Sequence, residues 1–311
     1  MRNWFSLFLF SLSTLIAGTC LAQQKHQITV ITENDSYISV NNDGYYTNGV
    51  KLAYQWARST PDKKKTHRIN NIFAGQNIYT ARFSGEIKKE KLDRPITGYL
   101  YAGYQNTLYN TSDDLVRWGL TAGTIGDWSM GEQMQKSAHK FMQIYKPTFW
   151  ELQLNNAWGA SIDFAWSPQM PQKKENPKWH FKPVLSASGG TLFNQAGAGA
   201  ALIFGKMNTN SKTAFWNNHQ GSTKADKELF AFIYPTLNYK AYDITVQGGV
   251  FNKEPEKIAS KLNPLFLQTK LGITYAANKL SFSFIGLYES KQSSTQYDPQ
   301  IYGSIQVGMM W

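Results

Sequence analysis

Apolar and polar residues alternate with a period of two along the last segment of the chain. One face carries Ile301, Gly303, Ile305, Val307, Met309 and Trp311. The intervening positions include Ser304, Gln306 and Gly308. A period of two predicts a β-strand, because successive side chains of a strand point to opposite faces. An apolar face that ends on a terminal aromatic residue is typical of the closing strand of an outer-membrane barrel.

The same alternation recurs along the chain, for example from Val50 to Trp56, and predicts twelve strands. The predicted strands span residues 27–35, 47–58, 69–80, 96–107, 113–125, 157–167, 178–189, 195–206, 228–241, 265–275, 279–290 and 299–311. A single-chain bacterial barrel has an even number of strands. The segment Asp243–Phe251, which also has some strand character, is therefore assigned to a loop.

These strands predict an all-β fold, a twelve-stranded antiparallel outer-membrane β-barrel. A soluble β-sandwich has similar alternation and is the alternative. The terminal Trp311 and an aromatic content of 14% favour the barrel, because Tyr and Trp gather at membrane interfaces. No linker or short-period repeat divides the chain, so residues 23–311 are interpreted as one domain.

The N-terminal segment has the layout of a secretory signal peptide. Arg2 is followed by an apolar run from Trp4 to Ile16 and by small or apolar residues up to Ala22. This pattern predicts a signal peptide over residues 1–22. The chain has one cysteine, Cys20, which falls in that segment, so the predicted mature protein forms no disulfide.

If both termini face the periplasm, the odd-numbered strands run outward and the connections that follow them face outside the cell. The predicted extracellular loops are residues 36–46, 81–95, 126–156, 190–194, 242–264 and 291–298. The polar stretch 207–227 then becomes an unusually long periplasmic connection. Within the third extracellular loop, residues 131–145 lack strand alternation and predict a short helix that carries His139.

His139 is the candidate general base of this outer rim. A neutral imidazole can take a proton from water, and the other histidines lie near the N-terminus or on the periplasmic side. A solvated loop histidine is the alternative. The chain has no G-x-S-x-G elbow and no H-E-x-x-H motif, so a water nucleophile is favoured over an acyl-enzyme or a zinc site.

Asn34 and Asp35 end the first strand at the same rim. Their oxygens suit calcium, and they equally suit the chemistry of a polar turn. Thr47 begins the second strand and is a further polar candidate. The segment 41–44 lacks the acidic positions of an EF-hand loop, so it is not interpreted as one.

A formal charge of +11 suits a polyanionic partner. A secreted chain does not meet nucleic acid, so the phosphates of lipopolysaccharide are the expected anion. The second outer loop is strongly basic, and Arg82, Lys88 and Arg94 are the candidates for phosphate contacts. Such a run is also typical of a solvated face.

Several short motifs follow one another along the chain in a characteristic order. They are Thr32-Glu33-Asn34-Asp35, Tyr46-Thr47-Asn48-Gly49, Asp93-Arg94-Pro95, Gly98-Tyr99-Leu100-Tyr101 and Ala138-His139, followed by Trp150 and Gln153. In order and spacing the chain resembles the lipid A 3'-O-deacylases of Gram-negative outer membranes, from the first mature strand through the last.

The resemblance implies a calcium-dependent esterase that removes the 3'-linked acyloxyacyl group of lipid A. It implies calcium and oxyanion roles for Asn34 and Asp35, a supporting role for Thr47, and general-base catalysis by His139. The family pattern has a glutamate six residues after the histidine, where this chain has Tyr145. Glu132 and Glu151 flank the same loop as possible substitutes.

Two other functions fit the sequence. An outer-membrane phospholipase would share the hydrolytic site without the contacts to sugar and phosphate. A non-catalytic barrel, acting as a small pore or an adhesin, would not depend on His139.

Overall fold

The chain folds as a closed antiparallel β-barrel of twelve strands in which β1 pairs with β12. The computed structural model describes residues 26–38, 44–59, 67–82, 92–143, 146–171, 178–218, 227–258 and 260–311. Closure leaves no strand edge without hydrogen-bond partners, as a membrane requires. The predicted signal peptide over residues 1–22 lies outside the described residues.

The twelve predicted strands are confirmed, and each strand end lies within two residues of its predicted position. The strands are β1 His26–Asn34, β2 Tyr45–Ser59, β3 His67–Thr80, β4 Thr97–Tyr109, β5 Leu115–Ile125, β6 Ala157–Ser167, β7 Trp179–Gly190, β8 Phe193–Lys206, β9 Glu228–Asp243, β10 Leu265–Ala277, β11 Leu280–Glu289 and β12 Gln300–Met310. The helices are α1 Gly131–Met142 and α2 Ile244–Gln247. The segment Asp243–Phe251 contains α2 and adds no strand, as expected.

Alternation along each strand separates an outward face from a lumen face. Outward positions are exposed and apolar, such as Leu52, Ile72 and Leu120, which are 54%, 49% and 51% exposed. Lumen positions carry polar or aromatic groups such as Glu33 and Tyr79. This is the pattern of a barrel surrounded by lipid.

None of the helices among the described residues has the length and apolar character needed to cross a bilayer.

The barrel has two rims that differ in their connections. At the terminal rim, the first and last strands end together, and the His26 amide donates to the Trp311 carbonyl over 3.1 Å. At the loop rim, β1 leads to β2, β3 to β4 and β5 to β6, and the last of these connections contains α1. Asn34, Thr47 and His139 therefore belong to the same rim, as the topology predicted.

The lumen holds a cavity of about 570 Å³ that is partly filled from the terminal rim. Phe215, Trp216 and Asn217, from the β8–β9 connection, line it. The Arg117 guanidinium donates to the Trp216 carbonyl over 3.4 Å, and the Gln27 amide donates to the Asn217 carbonyl over 3.1 Å. The connection expected as a polar loop thus turns inward over its described residues, where arginine and glutamine side chains of the wall bind two of its backbone carbonyls.

This inward segment predicts a low ion conductance. Replacing residues 209–226 by a short Asn-Gly turn, which still joins β8 to β9, removes the filling side chains. We expect a several-fold rise in single-channel conductance in planar bilayers, with unchanged heat-modifiable migration on gels as the control for folding. Equal conductance of the two proteins would show that the segment does not limit passage.

Candidate active site

The outward face of β3 near the loop rim is buried by protein. Asn77 and Tyr79 line the lumen cavity, so Gln76, Ile78 and Thr80 face outward. All three are nevertheless buried, at 9%, 1% and 1% exposure. The β5–β6 connection and neighbouring loops cover this part of the wall, and a polar site shielded from lipid lies beneath them.

Helix α1 begins directly on the barrel wall because two glycines meet there. A Cβ atom built on Gly98 would lie 2.8 Å from the Gly131 Cα atom and 2.2 Å from the Ser129 hydroxyl oxygen. Gly98 pairs with Ile78 and so faces outward. The Gln76 side-chain amide also donates to the Ser129 carbonyl over 2.5 Å. These contacts fix the first turn of α1 against β3 and β4.

Trp150 fixes the next turn of α1. Its ring belongs to the same hydrophobic cluster as Ile78, and its indole N–H donates to the Gln135 side-chain oxygen over 2.8 Å. Gly131, Gln135 and His139 are the buried residues of α1, and they recur every four positions along one face. His139 is 7% exposed and belongs to the face that packs on the wall. The solvated position considered from sequence does not fit this burial.

Thr47 reaches the outward face through a β-bulge. The register of β2 against β3 shifts between Tyr46 and Asn48, so Thr47 is the extra residue. Its hydroxyl lies 2.6 Å from that of Thr80, and both residues are buried. Thr80 is a member of the site that the sequence analysis did not name, since a threonine at a strand end has no distinguishing signal.

Asn34 and Asp35 lie where β1 ends and a single 3₁₀ turn begins. The Asn34 side-chain oxygen accepts from the Ser36 amide over 2.8 Å, which is the turn chemistry expected of such a residue. Asp35 is 5% exposed, and its carboxylate accepts from the Gly44 amide over 3.0 Å. A buried carboxylate needs such donors or a cation nearby.

We refer to Asn34, Asp35, Thr47, Thr80, Gln135 and His139 as the outer-wall group. Thr47 of β2 contacts Thr80 of β3, and α1 packs on β3 and β4. Asn34 and Asp35 lie at the end of β1, the strand that pairs with β2. The group lies at the loop rim on the lipid side of the wall, whereas the cavity lies on the lumen side.

The basic candidates divide between the surface and the interior. Arg82 is partly exposed at the rim and pairs with Asp298. A Cβ atom on Gly44, whose amide binds Asp35, would lie 2.8 Å from the Arg82 Cα atom. Arg82 therefore adjoins the outer-wall group. Lys88 lies outside the described residues.

Arg94 takes a different position from Arg82. It is 1% exposed, and its guanidinium lies 4.2 Å from the centre of the Tyr79 ring and donates to the Thr245 hydroxyl over 3.3 Å. Burial lowers the pKa of Arg94, while the Tyr79 phenol and the Asp243 carboxylate oppose that shift. Because Tyr79 faces the lumen, Arg94 is separate from the outer-wall group.

Asp93 joins the loops around the site. Its carboxylate accepts from the Tyr45 hydroxyl and from the Arg82 amide, the latter over 3.1 Å. The Tyr297 amide donates to the same carboxylate over 3.3 Å. One buried carboxylate, 3% exposed, thus connects the loop after β3, the start of β2 and the loop before β12.

A calcium ion fits the outer-wall group by ligand type but not by charge count. Asp35, Asn34 and Thr47 offer carboxylate, amide and hydroxyl oxygens, the hard ligands that calcium prefers. Among the described residues, no cluster of three His, Cys, Asp or Glu side chains could hold a metal. Backbone carbonyls and water would have to complete the shell. Tyr145 lies outside the described residues, Glu132 pairs with Lys136, and Glu151 is exposed.

The fold and the covered outward site define an outer-membrane β-barrel protein with a candidate active site on its lipid-facing wall. The protein-family model described as "Outer membrane protein LpxR" matches residues 4–311. The chain belongs to the LpxR family. No curated protein matches it by sequence.

Solved structures resemble this chain to different degrees. LpxR from Salmonella typhimurium is 18% identical with a TM-score of 0.77, and the match covers 92% of this chain and 100% of that one. The β domain of the Bordetella autotransporter BrkA is 9% identical with a TM-score of 0.48, and the match covers 93% and 99%. At these identities the likeness to the Salmonella protein shows the barrel fold alone.

The contact between Gly98 and Gly131 predicts that a larger residue at position 98 weakens the packing of α1 on the wall. Gly98→Ala places a methyl group against the backbone of Gly131, which cannot move without lifting α1. Overpacking of this kind costs about 1–3 kcal/mol. Hydrogen exchange of residues 131–142 should then be about tenfold to a hundredfold faster if the cost is local. Mass spectrometry of exchanged peptides measures it.

Gly189→Ala is the matched control, because a Cβ atom there meets only the Asn194 side-chain oxygen at 3.9 Å. Its α1 peptides should exchange as in the unaltered protein. If residues 131–142 exchanged at the same rate in the Gly98→Ala protein as in the unaltered protein, the packing of α1 on Gly98 would be contradicted.

Proposed function

We propose that the protein is an outer-membrane esterase that removes the 3'-linked acyloxyacyl group of lipid A, with water activated by His139. The observation that carries the proposal is the burial of His139 on the face of α1 that packs against the lipid side of the barrel wall. Membership of the LpxR family supports a lipid A substrate. The extracellular orientation of the loop rim is part of the same proposal.

The location of the outer-wall group suits an ester that stays in a leaflet. Lipid A keeps its acyl chains among other lipids, and its ester bonds lie close to the sugar headgroup. A site on the outward wall near a rim meets such an ester without extracting the lipid. A lumen site would require the acyl chains to cross the wall, and the lumen is partly filled by Trp216 and its neighbours.

In the proposed mechanism, His139 carries the proton both in the attack of water and in the departure of the sugar oxygen. His139 accepts a proton from water as the water oxygen attacks the ester carbonyl carbon. The tetrahedral intermediate then collapses, the bond to the sugar oxygen breaks, and the protonated imidazole returns the proton to that oxygen. Cover by α1 and Trp150 keeps bulk water away and strengthens the polar contacts to the developing oxyanion.

Calcium is proposed as the ion of this site, held by Asp35 and Asn34 with Thr47 nearby, where it would supply Lewis-acid stabilisation of the oxyanion. A single carboxylate among the ligands implies weak binding, with a dissociation constant of about 10⁻⁴–10⁻³ M, as in sites of low ligand charge. Gln135, one turn before His139, is positioned to orient water or the ester by hydrogen bonding.

Phosphate recognition is proposed for Arg82 and Lys88. Arg82 adjoins the Asp35 turn at the rim, where a headgroup phosphate would sit while the ester reaches His139. The burial of Arg94 argues for a role in closing the lumen end of the loops instead.

Substitution of the base tests the reaction. His139→Gln keeps a polar side chain of similar reach but cannot carry the proton, so hydrolysis should fall about 10²- to 10⁴-fold. Mass spectrometry of lipid A, from a host that lacks deacylases, should detect loss of the 3'-acyloxyacyl mass with the unaltered protein only.

The matched control is His180→Gln, which alters a buried histidine near the terminal rim. It should leave lipid A hydrolysis intact. Unchanged lipid A with correctly inserted unaltered protein, together with release of fatty acid from phospholipid, would favour a phospholipase instead. Equal activity of the His139→Gln protein and the unaltered protein would exclude His139 as the general base.

Removal of calcium provides a second test. Chelation of isolated membranes should abolish hydrolysis, and millimolar calcium should restore it because the proposed site is weak. Asp35→Asn removes the one carboxylate and should raise the calcium concentration needed for half-maximal activity by at least about tenfold. Full activity in chelator, with the unaltered protein, would contradict the metal requirement.

A further inference from the structure

Helix α1 has an apolar flank that no part of the described protein covers. Met134 and Phe141, which lie about 20° apart around the helix axis, are 46% and 84% exposed. The residues just before the helix continue this surface, since Trp128 and Met130 are each 57% exposed. Exposed apolar groups of this size, gathered on one element, indicate contact with an apolar partner.

The sequence of α1 divides into three sectors around its axis. A residue advances about 100° around a helix, so residues four apart lie nearly above one another. Gly131, Gln135 and His139 form the sector that packs on the wall. The apolar flank adjoins that sector on one side. The polar sector contains Gln133, Lys136, Ser137 and Lys140.

Helix α1 begins beside the lipid-facing belt of the barrel. Gly131 rests on Gly98, and Leu100, the next outward residue of β4, is 38% exposed. Val50 on β2 and Ile72 on β3 are 40% and 49% exposed on the same face. The belt therefore begins at the edge of the area that α1 covers, and both surfaces are apolar.

We propose that α1 is an interfacial membrane helix whose flank of Met130, Met134 and Phe141 lies among the acyl chains of the leaflet at the loop rim. The polar sector, with Lys136 and Lys140, faces the lipid headgroups and water. A helix with one apolar face and lysines on its polar face is the arrangement that lies in a membrane interface. This inference goes beyond the proposed reaction and does not depend on it.

The adjoining lipid-facing belt favours lipid over protein as the partner of the apolar flank. A protein partner would have to cover the flank while leaving the adjoining strand residues to lipid. The membrane covers both without a break. For the proposed reaction, the flank would also hold an acyl chain beside the face that carries His139, on the same helix.

Site-directed spin labelling tests the position of the helix. Cys20 is the one cysteine of the chain, so Cys20→Ser gives a cysteine-free background. Single cysteines replace Met134 and Phe141 on the apolar flank, and Gln133 and Lys140 on the polar sector. Leu52→Cys marks lipid contact, and Ser112→Cys in the exposed β4–β5 turn marks water.

The labelled proteins are studied in vesicles of phosphatidylcholine and phosphatidylglycerol, with oxygen as the lipid-soluble relaxing agent and a nickel chelate as the water-soluble one. Labels at positions 134 and 141 should resemble position 52, with high oxygen and low nickel accessibility. Labels at positions 133 and 140 should resemble position 112. Heat-modifiable gel migration verifies that each variant is folded.

Two results would overturn the proposal. High nickel accessibility at positions 134 and 141 would place the flank in water. Low accessibility to both reagents there would show that protein, such as a second copy of the chain, covers it. All labelled positions are exposed, so the labels do not disturb the packing of α1 on the wall.

Discussion

Polar side chains on the outward wall of a membrane barrel must be covered by protein, and the arrangement of this molecule follows from that constraint. Strand alternation gives every position in the wall either to the lumen or to lipid. A lysine or arginine left facing the hydrocarbon costs about 2–4 kcal/mol at the midplane and less near the interfaces. Thr47, Thr80 and Gln76 face outward and yet are buried, because the loops return to cover them.

The cover is held by few contacts, each of which depends on a particular residue. Gly98 has no side chain, so the start of α1 rests on the strand itself. Trp150 fills the space above Ile78 and holds Gln135, which fixes the rotation of the helix and with it His139. Asp93 joins the surrounding loops through one carboxylate. The same cover that lowers the cost of polar groups also creates a dry, oriented site.

The strands were predictable because alternation is a local property that any membrane barrel must display, from Val50–Trp56 to the closing strand at Trp311. The helix was predictable for the same reason, since residues 131–142 interrupt that alternation. The topology also assigned Asn34, Thr47 and His139 to one rim.

The sequence could not show on which side of the barrel wall the site residues lie. Thr47 faces outward through a bulge that shifts the register by one residue, and no pattern marks a bulge in a single sequence. The burial of Arg94 and the inward path of residues 207–218 likewise depend on partners distant in the chain, Tyr79 for the first and Arg117 for the second.

The central claim is that the chemistry takes place on the lipid side of the wall, between α1 and β3. A crystal structure of the His139→Gln protein with intact lipid A bound would test it most directly. Our account predicts that the 3'-linked ester lies within hydrogen-bonding distance of position 139, with its acyl chains against the outward face of the barrel. Lipid A bound in the lumen cavity, with the space between α1 and β3 closed to it, would contradict the account.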